Sequence, residues 1–441
     1  MSDKILIRNG CVLTLGARTQ NHPQADVIVE DGRVAEVGSD LRARGAEVID
    51  ATNTIVMPGF VDTHRHVWKS LFRNLGGAEG DAVSPAAYGP HYQPDDVYSA
   101  TLIGLLGAVE AGITTVVDWA DIRPEDSHID AALQAHEEAG VRSVFVHAPA
   151  SWVSGHEDEK ATLRRLAARR SAAGESATSI AFGPGDPDLL DIDRVARDWA
   201  LARELEMRIH THVGTDPGQG GLIVALADRG MLGPDVTLVH CSRLRPSDLD
   251  AIASHGVKVS LAPASEMALG RGLPPMQELI DRSIRPGLGV DGEMIAPGDI
   301  FAQMRAANSV QHATHFDLKL AGKGGLPNLL GTRDVIRFAT VDGAAVAGLD
   351  RVTGSIEPGK AADIIVLRTD RPNIHPINDP IGAVVWGMDT SNLDWVLGGG
   401  RVLMREGELT ADVARARELA AAAHGRVAAA AGLMAGTGDT R

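Results

Sequence analysis

The sequence has few of the residues that build disulfide frameworks, thiolate metal sites or aromatic recognition surfaces. Cysteine occurs 2 times in 441 residues, and aromatic residues make up 4% of the chain. Cys11 and Cys241 are too few for a disulfide framework or a thiolate zinc site, so we expect a reducing, cytoplasmic setting. No apolar run approaches the ~18 residues of a membrane span, and the opening MSDKILIRNGCVL lacks the continuous apolar core of a signal peptide.

Positive charge is also scarce relative to negative charge. The formal net charge is -16 at pH 7, and the sequence pI is about 5.4. Because no excess of cations is available to offset phosphates, the composition argues against nucleic acid or an anionic membrane as a partner. Hydrophobic residues reach 44%, which is enough for a large core. We therefore expect an acidic globular protein whose partner is a small-molecule substrate.

The central part of the chain alternates strand-like and helix-like segments. Several of the helix-like segments end at a glycine just before the next strand, which is typical of a helix C-cap. Eight strand–helix units over ~290 residues predict an α/β fold of the TIM (β/α)8 barrel type. A doubly wound open sheet is the alternative, but no glycine-rich phosphate loop follows the first strand. The eight strand-like segments are IVMPGFVDTH, ITTVVDWA, VRSVFVHA, TSIAFGPG, MRIHTHVG, VTLVHCS, VKVSLAPA and RPGLGVDG.

The two ends of the chain share a sequence pattern that differs from that of the central part. KILIRNGCVLTL and ADVIVEDGRVAEVG near the start, and GSIEPGKAADIIVLRT near the end, alternate in polarity and contain NG, DG and PG turns. This pattern predicts a composite β-sandwich domain built from both termini. The Ala-rich segment after Thr410 has strong helix propensity and should pack on the outside or at a subunit contact. The predicted divisions are 1–57 and 351–410 for the sandwich, 58–350 for the catalytic barrel, and 411–441 for the C-terminal helix and tail.

Polar side chains collect at the C-terminal ends of the predicted barrel strands. His64 and His66 stand one residue apart in VDTHRHVW, and residues at i and i+2 face the same side of a strand. His212, His240 and Asp291 fall at the ends of the fifth, sixth and eighth strands. These ends share one rim of a TIM barrel, where active sites are built. Imidazole and carboxylate are good ligands for zinc or iron, so the pattern predicts a metal site.

The segments PGFVDTHRH, IHTHVG, LVHCS and GLGVDG resemble the metal-dependent amidohydrolase superfamily, nearest to the subgroup of cytosine deaminase, guanine deaminase and triazine hydrolases. The resemblance covers roughly residues 4–410 and implies a homo-oligomer, a dimer or larger. It also implies one divalent metal, zinc first with iron or manganese as alternatives, bound by His64, His66, His212 and Asp291. His240 would be a weaker ligand or a hydrogen-bond donor to water and substrate. Members with two metals bridge them through a lysine or glutamate of the fourth strand, and TSIAFGPGDPD contains neither.

One position departs from this family pattern. In deaminase-like members a glutamate stands three residues after the fifth-strand histidine and shuttles a proton, and here that position is Thr215. Losing a positioned acid typically costs about 10²–10⁴-fold in rate. Asp216, Glu266 or Asp291 alone remain as alternatives for the acid, and a substrate with a good leaving group or an amide-type carbonyl fits better than simple purine or pyrimidine deamination. Glu266 stands where relatives carry asparagine, and its other interpretations are binding of a cationic substrate group or a salt bridge to Arg271 or another arginine at the barrel mouth.

The substrate pocket can be outlined from the same strand ends. Trp68, Trp119, Thr215 and His147 are predicted substrate contacts, because rim tryptophans can stack on a planar ring. The Gly- and Pro-rich stretch from 72 to 94 is predicted to be a lid. The leading hypothesis is a mononuclear metal hydrolase that cleaves a C–N bond in a cyclic or heteroaromatic small molecule, with Asp291 as base. The alternatives are a metal-dependent lyase, decarboxylase or isomerase, and a non-catalytic scaffold.

Overall fold

The chain opens with five strands of a mixed sheet. The computed structural model describes residues 4–76, 84–122, 125–150, 152, 159–172, 177–185, 191–214 and 221–433. The opening strands are β1 (Lys4–Val12), β2 (His22–Glu30), β3 (Arg33–Gly38), β4 (Glu47–Asp50) and β5 (Thr54–Pro58). Asp31 and Gly32 join β2 to β3 with φ angles of 50° and 74°. A tight hairpin needs positive φ at both turn residues, which explains the DG pair at this position.

Eight parallel strands then form the barrel in chain order. They are β6 (Phe60–Arg65), β7 (Ile113–Ala120), β8 (Arg142–His147), β9 (Thr178–Phe182), β10 (Ile209–Val213), β11 (Val236–His240), β12 (Lys258–Leu261) and β13 (Gly287–Leu288). The backbone N–H of Asp291 donates to the carbonyl of His64, and the N–H of His66 donates to the carbonyl of Asp291, both at 2.8 Å. These bonds close the eighth strand region onto the first, so the predicted TIM barrel is confirmed and the open sheet is wrong.

Helices cover the outside of this barrel. α3 ends at Gly140, which has a left-handed φ of 69° and forms the predicted C-cap. Phe60 and Phe145 of the strands and Trp199 and Phe301 of the helices belong to one core cluster. The helices of this part are α1 (Pro85–Tyr88), α2 (Pro94–Glu110), α3 (Asp126–Ala139), α4 (Glu159–Ala172), α5 (Ile192–Glu204), α6 (Leu222–Asp228), α7 (Pro246–Ser254), α8 (Pro263–Ala268), α9 (Met276–Asp281), α10 (Ile300–Leu320), α11 (Thr332–Phe338) and α12 (Val341–Val346).

The chain then returns to the first sheet. β14 (Ile364–Arg368), β15 (Leu393–Gly398), β16 (Arg401–Arg405) and β17 (Glu408–Leu409) extend it to nine strands, in the order β17-β16-β15-β14-β5-β1-β2-β3, with β4 also paired to β1. β14 pairs antiparallel with β5, and side chains from both ends of the chain form a second core cluster. The predicted composite β domain is therefore confirmed. β5 ends at Pro58, next to the predicted boundary at 57.

The last helices lie outside these two layers. α13 (Pro380–Gly382) is short, and α14 (Val413–Ala430) packs against α2, where Arg426 forms an ion pair with the buried Asp96. The Ala-rich segment is thus helical as predicted. None of the helices in the described part of the chain combines the length and the apolarity needed to cross a bilayer.

Candidate active site

Three imidazoles and one carboxylate converge at the C-terminal rim of the barrel. His64 lies near the end of β6, His66 follows that strand, His212 lies in β10, and Asp291 comes shortly after β13. The Nε2 atom of His64 is 3.1 Å from Nε2 of His212 and 3.6 Å from Oδ1 of Asp291. Nε2 of His66 is 3.4 Å from the same carboxylate oxygen. The structure therefore brings together all four residues that the resemblance implied as metal ligands.

The spacing of these atoms fits one metal ion. Ligands about 2.0–2.1 Å from a tetrahedral zinc ion are themselves about 3.3 Å apart, close to the separations observed here. Burial lowers the pKa of His64 to about 3, so its imidazole is neutral and has a lone pair to offer. Single ligand atoms of His64, His66 and His212 lie within 4.8 Å of one another, and so do those of His64, His240 and Asp291. The donor set suits a divalent cation of the zinc type.

The far nitrogens of two of these imidazoles have partners that hold the rings in place. Nδ1 of His66 lies 2.8 Å from Oδ1 of Asp121, and Nδ1 of His64 lies 3.4 Å from Nε2 of His210. A carboxylate at Nδ1 places the hydrogen on that atom and leaves Nε2 free for a metal. Although burial opposes it, the neighbouring His66 imidazole and the Lys69 ammonium group hold the pKa of Asp121 well below its usual range.

Asp121 and His210 are site residues whose roles were not predicted from the sequence. For His210 a signal exists, because His210 and His212 repeat the one-residue spacing of His64 and His66 on a strand of the same barrel. Asp121 has a weaker signal, since it lies just past the end of β7 in a stretch that offers several polar residues.

His240 connects a buried carboxylate to an arginine. Its Nδ1 lies 3.0 Å from Oε1 of Glu266, while Nη1 of Arg271 donates to its Nε2 at 2.5 Å. The same Nη1 donates to Oδ2 of Asp291 at 3.2 Å. Because a guanidinium only donates, Nε2 of His240 is an acceptor here and its hydrogen resides on Nδ1. Arg271 thus pairs with Asp291, and the salt bridge between Arg271 and Glu266 that was one interpretation is absent from the described ion pairs.

Glu266 is fully buried in the first turn of α8. Its Oε1 also accepts a hydrogen bond from the backbone N–H of Ala262 at 2.8 Å. Its Oε2 has no hydrogen-bond partner among the described residues. Burial raises the pKa of Glu266 to about 8. Oε1 of Glu266 therefore contacts both the backbone of Ala262 and the ring of His240, and it reaches that ring from the side opposite to Arg271.

The backbone is strained at the two strand ends that carry His240 and Asp291. Their φ angles are 74° and 65°, and that of Cys241 is 58°. Residues with a Cβ avoid this left-handed region, at a cost on the order of 1 kcal/mol or more each. Strain of this kind persists where surrounding structure enforces it, and it clusters at functional sites.

The predicted substrate contacts differ in where they lie. The Trp119 ring is nearly buried, and its centroid is 4.3 Å from that of His212, which places it beside the four-residue cluster. Trp68 is buried deeper: its Nε1 donates to Oδ1 of Asp121 at 2.6 Å, and its ring packs against Tyr92. Trp68 therefore supports the site through its hydrogen bond to Asp121, and its buried ring does not offer an exposed surface to a substrate. His147 is buried at the end of β8.

Two other predictions cannot be placed. Thr215 and Asp216 lie outside the described residues, so the position of the absent family glutamate has no structural description. Residues 77–83 of the predicted lid also lie outside them. On the C-terminal side of that gap, Tyr88 of α1 is buried against Trp68.

The sequence matches the model of the amidohydrolase family over residues 55–402. The chain belongs to the amidohydrolase family. It is thus a metal-dependent hydrolase of carbon–nitrogen bonds other than peptide bonds. The matched range begins in β5 and ends in β16, so it includes the whole barrel and part of the terminal sheet.

Characterised relatives match over nearly the full length. A 5'-deoxyadenosine deaminase of Methanothermobacter thermautotrophicus is 30% identical over 430 residues, which cover 92% of this chain and 95% of that protein. A 5-methylthioadenosine/S-adenosylhomocysteine deaminase of Thermococcus kodakarensis is 29% identical, with coverage of 91% and 94%.

Solved structures share the fold at lower identity. An adenosine deaminase of Xanthomonas campestris with bound zinc superposes with a TM-score of 0.82 at 21% identity, covering 96% of this chain and 98% of that one. The atrazine chlorohydrolase of Arthrobacter aurescens in complex with zinc gives a TM-score of 0.80 at 22% identity, with coverage of 95% and 100%. At this identity the two structures show that the fold is the same.

Proposed function

We propose that the protein is a mononuclear hydrolase that cleaves a C–N bond in a planar nitrogen heterocycle, releasing ammonia or an amine or opening the ring. The observation that carries the proposal is the convergence of His64, His66, His212 and Asp291 beside the ring of Trp119. Deaminases of adenosine-type compounds among the relatives support the heterocyclic substrate.

The roles of the side chains follow from their contacts. His64, His66, His212 and Asp291 would hold the metal, which when bound supplies a Lewis acid that lowers the pKa of water towards neutrality. Asp291 presents Oδ1 to the histidines and Oδ2 to Arg271, and this carboxylate is the proposed acceptor for the proton of the attacking water. With no acid assigned in place of the family glutamate, Asp291 would also return that proton to the leaving group.

The remaining site residues would bind and position. Trp119 would stack on the planar ring of the substrate, with His147 and Thr215 as further predicted contacts, while Trp68 would act through Asp121. Nε2 of His240 faces the centre of the site, and its Nδ1 is hydrogen-bonded to Glu266. We regard Glu266 as either the missing acid or a positioning residue.

The finer properties of the protein are also proposals. Zinc is the proposed metal, since three imidazoles and a carboxylate suit it and two structural neighbours contain zinc, while iron and manganese suit the same ligands. A homo-oligomer in the cytoplasm with a small-molecule substrate remains our expectation.

Metal analysis combined with isotope labelling tests the proposed reaction. We expect about one metal per chain, and turnover of amino- or oxo-heterocycles or cyclic amides in H₂¹⁸O should place the label in a product. The Asp291→Asn variant should be inactive, whereas Asp350→Asn, which removes the charge of an exposed aspartate, should behave like the wild type. An unlabelled product would indicate a lyase or isomerase, and a protein that binds no metal after reconstitution would refute the site.

A further inference from the structure

Arg271 lies at the centre of the site, although the family resemblance did not predict a role for it there. It follows α8 between Gly270 and Gly272, and its carbonyl accepts a hydrogen bond from Nε of Arg243 at 3.0 Å. Arg243 also donates to the carbonyl of Gly270 at 3.2 Å. The loop that carries Arg271 is thus tied to the segment just after β11, so the guanidinium is held at the rim by the fold.

The guanidinium is only partly used by the protein. Nη1 donates to His240 and Asp291, and Arg271 makes no other side-chain hydrogen bond within the described residues. Its side chain is 29% exposed, whereas Asp291 beside it is 6% exposed. Nε and Nη2 therefore remain as donors for a ligand, and a guanidinium presents such donors in a planar fork that matches an oxygen anion.

Arg271 and a metal occupy different sides of Asp291. Oδ1 faces His64 and His66, while Oδ2 faces Arg271. A metal bound to Oδ1 therefore does not require Arg271 to leave. For a metal held by His64, His66, His212 and Asp291, the guanidinium covers none of the ligand atoms, although Nη1 does cover Nε2 of His240.

The charges at the centre favour an anionic ligand. Arg271 and Asp291 form an ion pair with no net charge. Asp121 forms a second ion pair with Lys69 on the far side of His66. Adding a divalent cation to the pair of Arg271 and Asp291 leaves an excess of positive charge at the rim. A local excess of this sign attracts anions even in a chain whose formal net charge is -16.

We propose that Arg271 is a specificity-determining residue that binds an anionic oxygen of the substrate, so that the substrate is a heterocycle carrying a carboxylate or an ionised oxo group. The inference rests on the proposed function for the heterocyclic ligand. The inferred substrate is therefore an anionic heterocycle, in contrast to the neutral adenine-type ring that the names of the relatives suggest.

Calorimetric binding of matched heterocycles tests this assignment without requiring turnover. The probes are nicotinate against nicotinamide and orotate against uracil, titrated into the zinc-reconstituted protein at pH 7.5. The wild type should bind the anionic member of at least one pair about 10-fold more tightly or better. Arg271→Gln should lose this preference, and Arg271→Lys should retain part of it, because lysine keeps the charge but not the fork.

A matched control separates this effect from the overall charge. Arg282→Gln removes the same charge from an arginine that pairs with Asp250 on another part of the surface, and it should keep the preference. Metal content and thermal unfolding are measured for each variant. Equal affinity within both pairs, no binding of any probe, or a preference that persists in Arg271→Gln would overturn the proposal. A product without ¹⁸O, combined with a preference for the anionic probe that depends on Arg271, would refute hydrolysis. It would leave the assignment of Arg271 as an anion-binding residue intact.

Discussion

The two sides of the candidate centre are built differently. On the side of β6 and β10, His64 and His66 point their Nε2 atoms at His212 and Asp291, and the barrel closes through backbone bonds at the same residues. On the side of β11 and α8, His240 lies between Glu266 and Arg271, two ionisable residues that contact its ring from opposite directions.

This difference separates binding of the metal from the choice of substrate and reaction. The first side offers Nε2 lone pairs of imidazoles, and burial lowers the pKa of His64 so that its imidazole is neutral, as a divalent cation requires. The second side offers a hydrogen-bonded chain from Glu266 through His240 to Arg271 and Asp291, which a metal site does not need. We infer that the first side carries the chemistry common to the family and that the second side adapts it to a particular substrate.

Removing a ligand from the first side should have the largest effect. The His64→Asn variant should lose the metal and at least about 10³-fold in kcat/KM, because His64 contacts His212 and Asp291 at the centre of the cluster. Metal content by mass spectrometry and turnover measure the two losses. His91→Asn, at an exposed position, serves as the control. Full metal content in His64→Asn would mean that the cluster is not the metal site.

The partner of a ligand should matter less than the ligand. Asp121→Asn should weaken metal affinity about 10- to 100-fold, because an amide no longer holds the hydrogen on Nδ1 of His66 as a carboxylate does. Competition with a chelator measures the affinity. Unchanged metal affinity would show that Asp121 serves only Trp68 and Lys69.

The first side was largely predictable from sequence, and the second was not. His64, His66, His212 and Asp291 stand at strand ends whose order the barrel fixes, so strand counting alone brings them to one rim. The barrel itself follows from the alternation of apolar strands with helices that end at glycine, as α3 does at Gly140.

The second side depends on side-chain directions that spacing does not give. Glu266 and Arg271 are five residues apart around the end of α8, and this spacing allows a salt bridge between them. In the structure the two groups bind opposite nitrogens of one imidazole. The left-handed φ of His240 helps to set that arrangement, and a backbone angle of this kind at a non-glycine residue has no clear signature in the sequence.

Replacing Glu266 by glutamine should have the smallest effect and should leave the first side intact. In Glu266→Gln the amide oxygen can still accept from Nδ1 of His240, but the group can no longer carry a negative charge. We expect full metal content, an unchanged KM and a loss of about 10-fold in kcat, with partial recovery in Glu266→Asp. Steady-state kinetics on the metal-loaded protein measures this, with Glu278→Gln as an exposed control in the next helix.

The size of that loss distinguishes the two roles left open for Glu266. A positioning residue acts through His240, so its replacement by an amide is tolerated in part. A general acid that donates to the leaving group would cost about 10²–10⁴-fold when replaced by an amide. Loss of the metal in Glu266→Gln would contradict the separation of the two sides, because His240 would then belong to the same unit as His64.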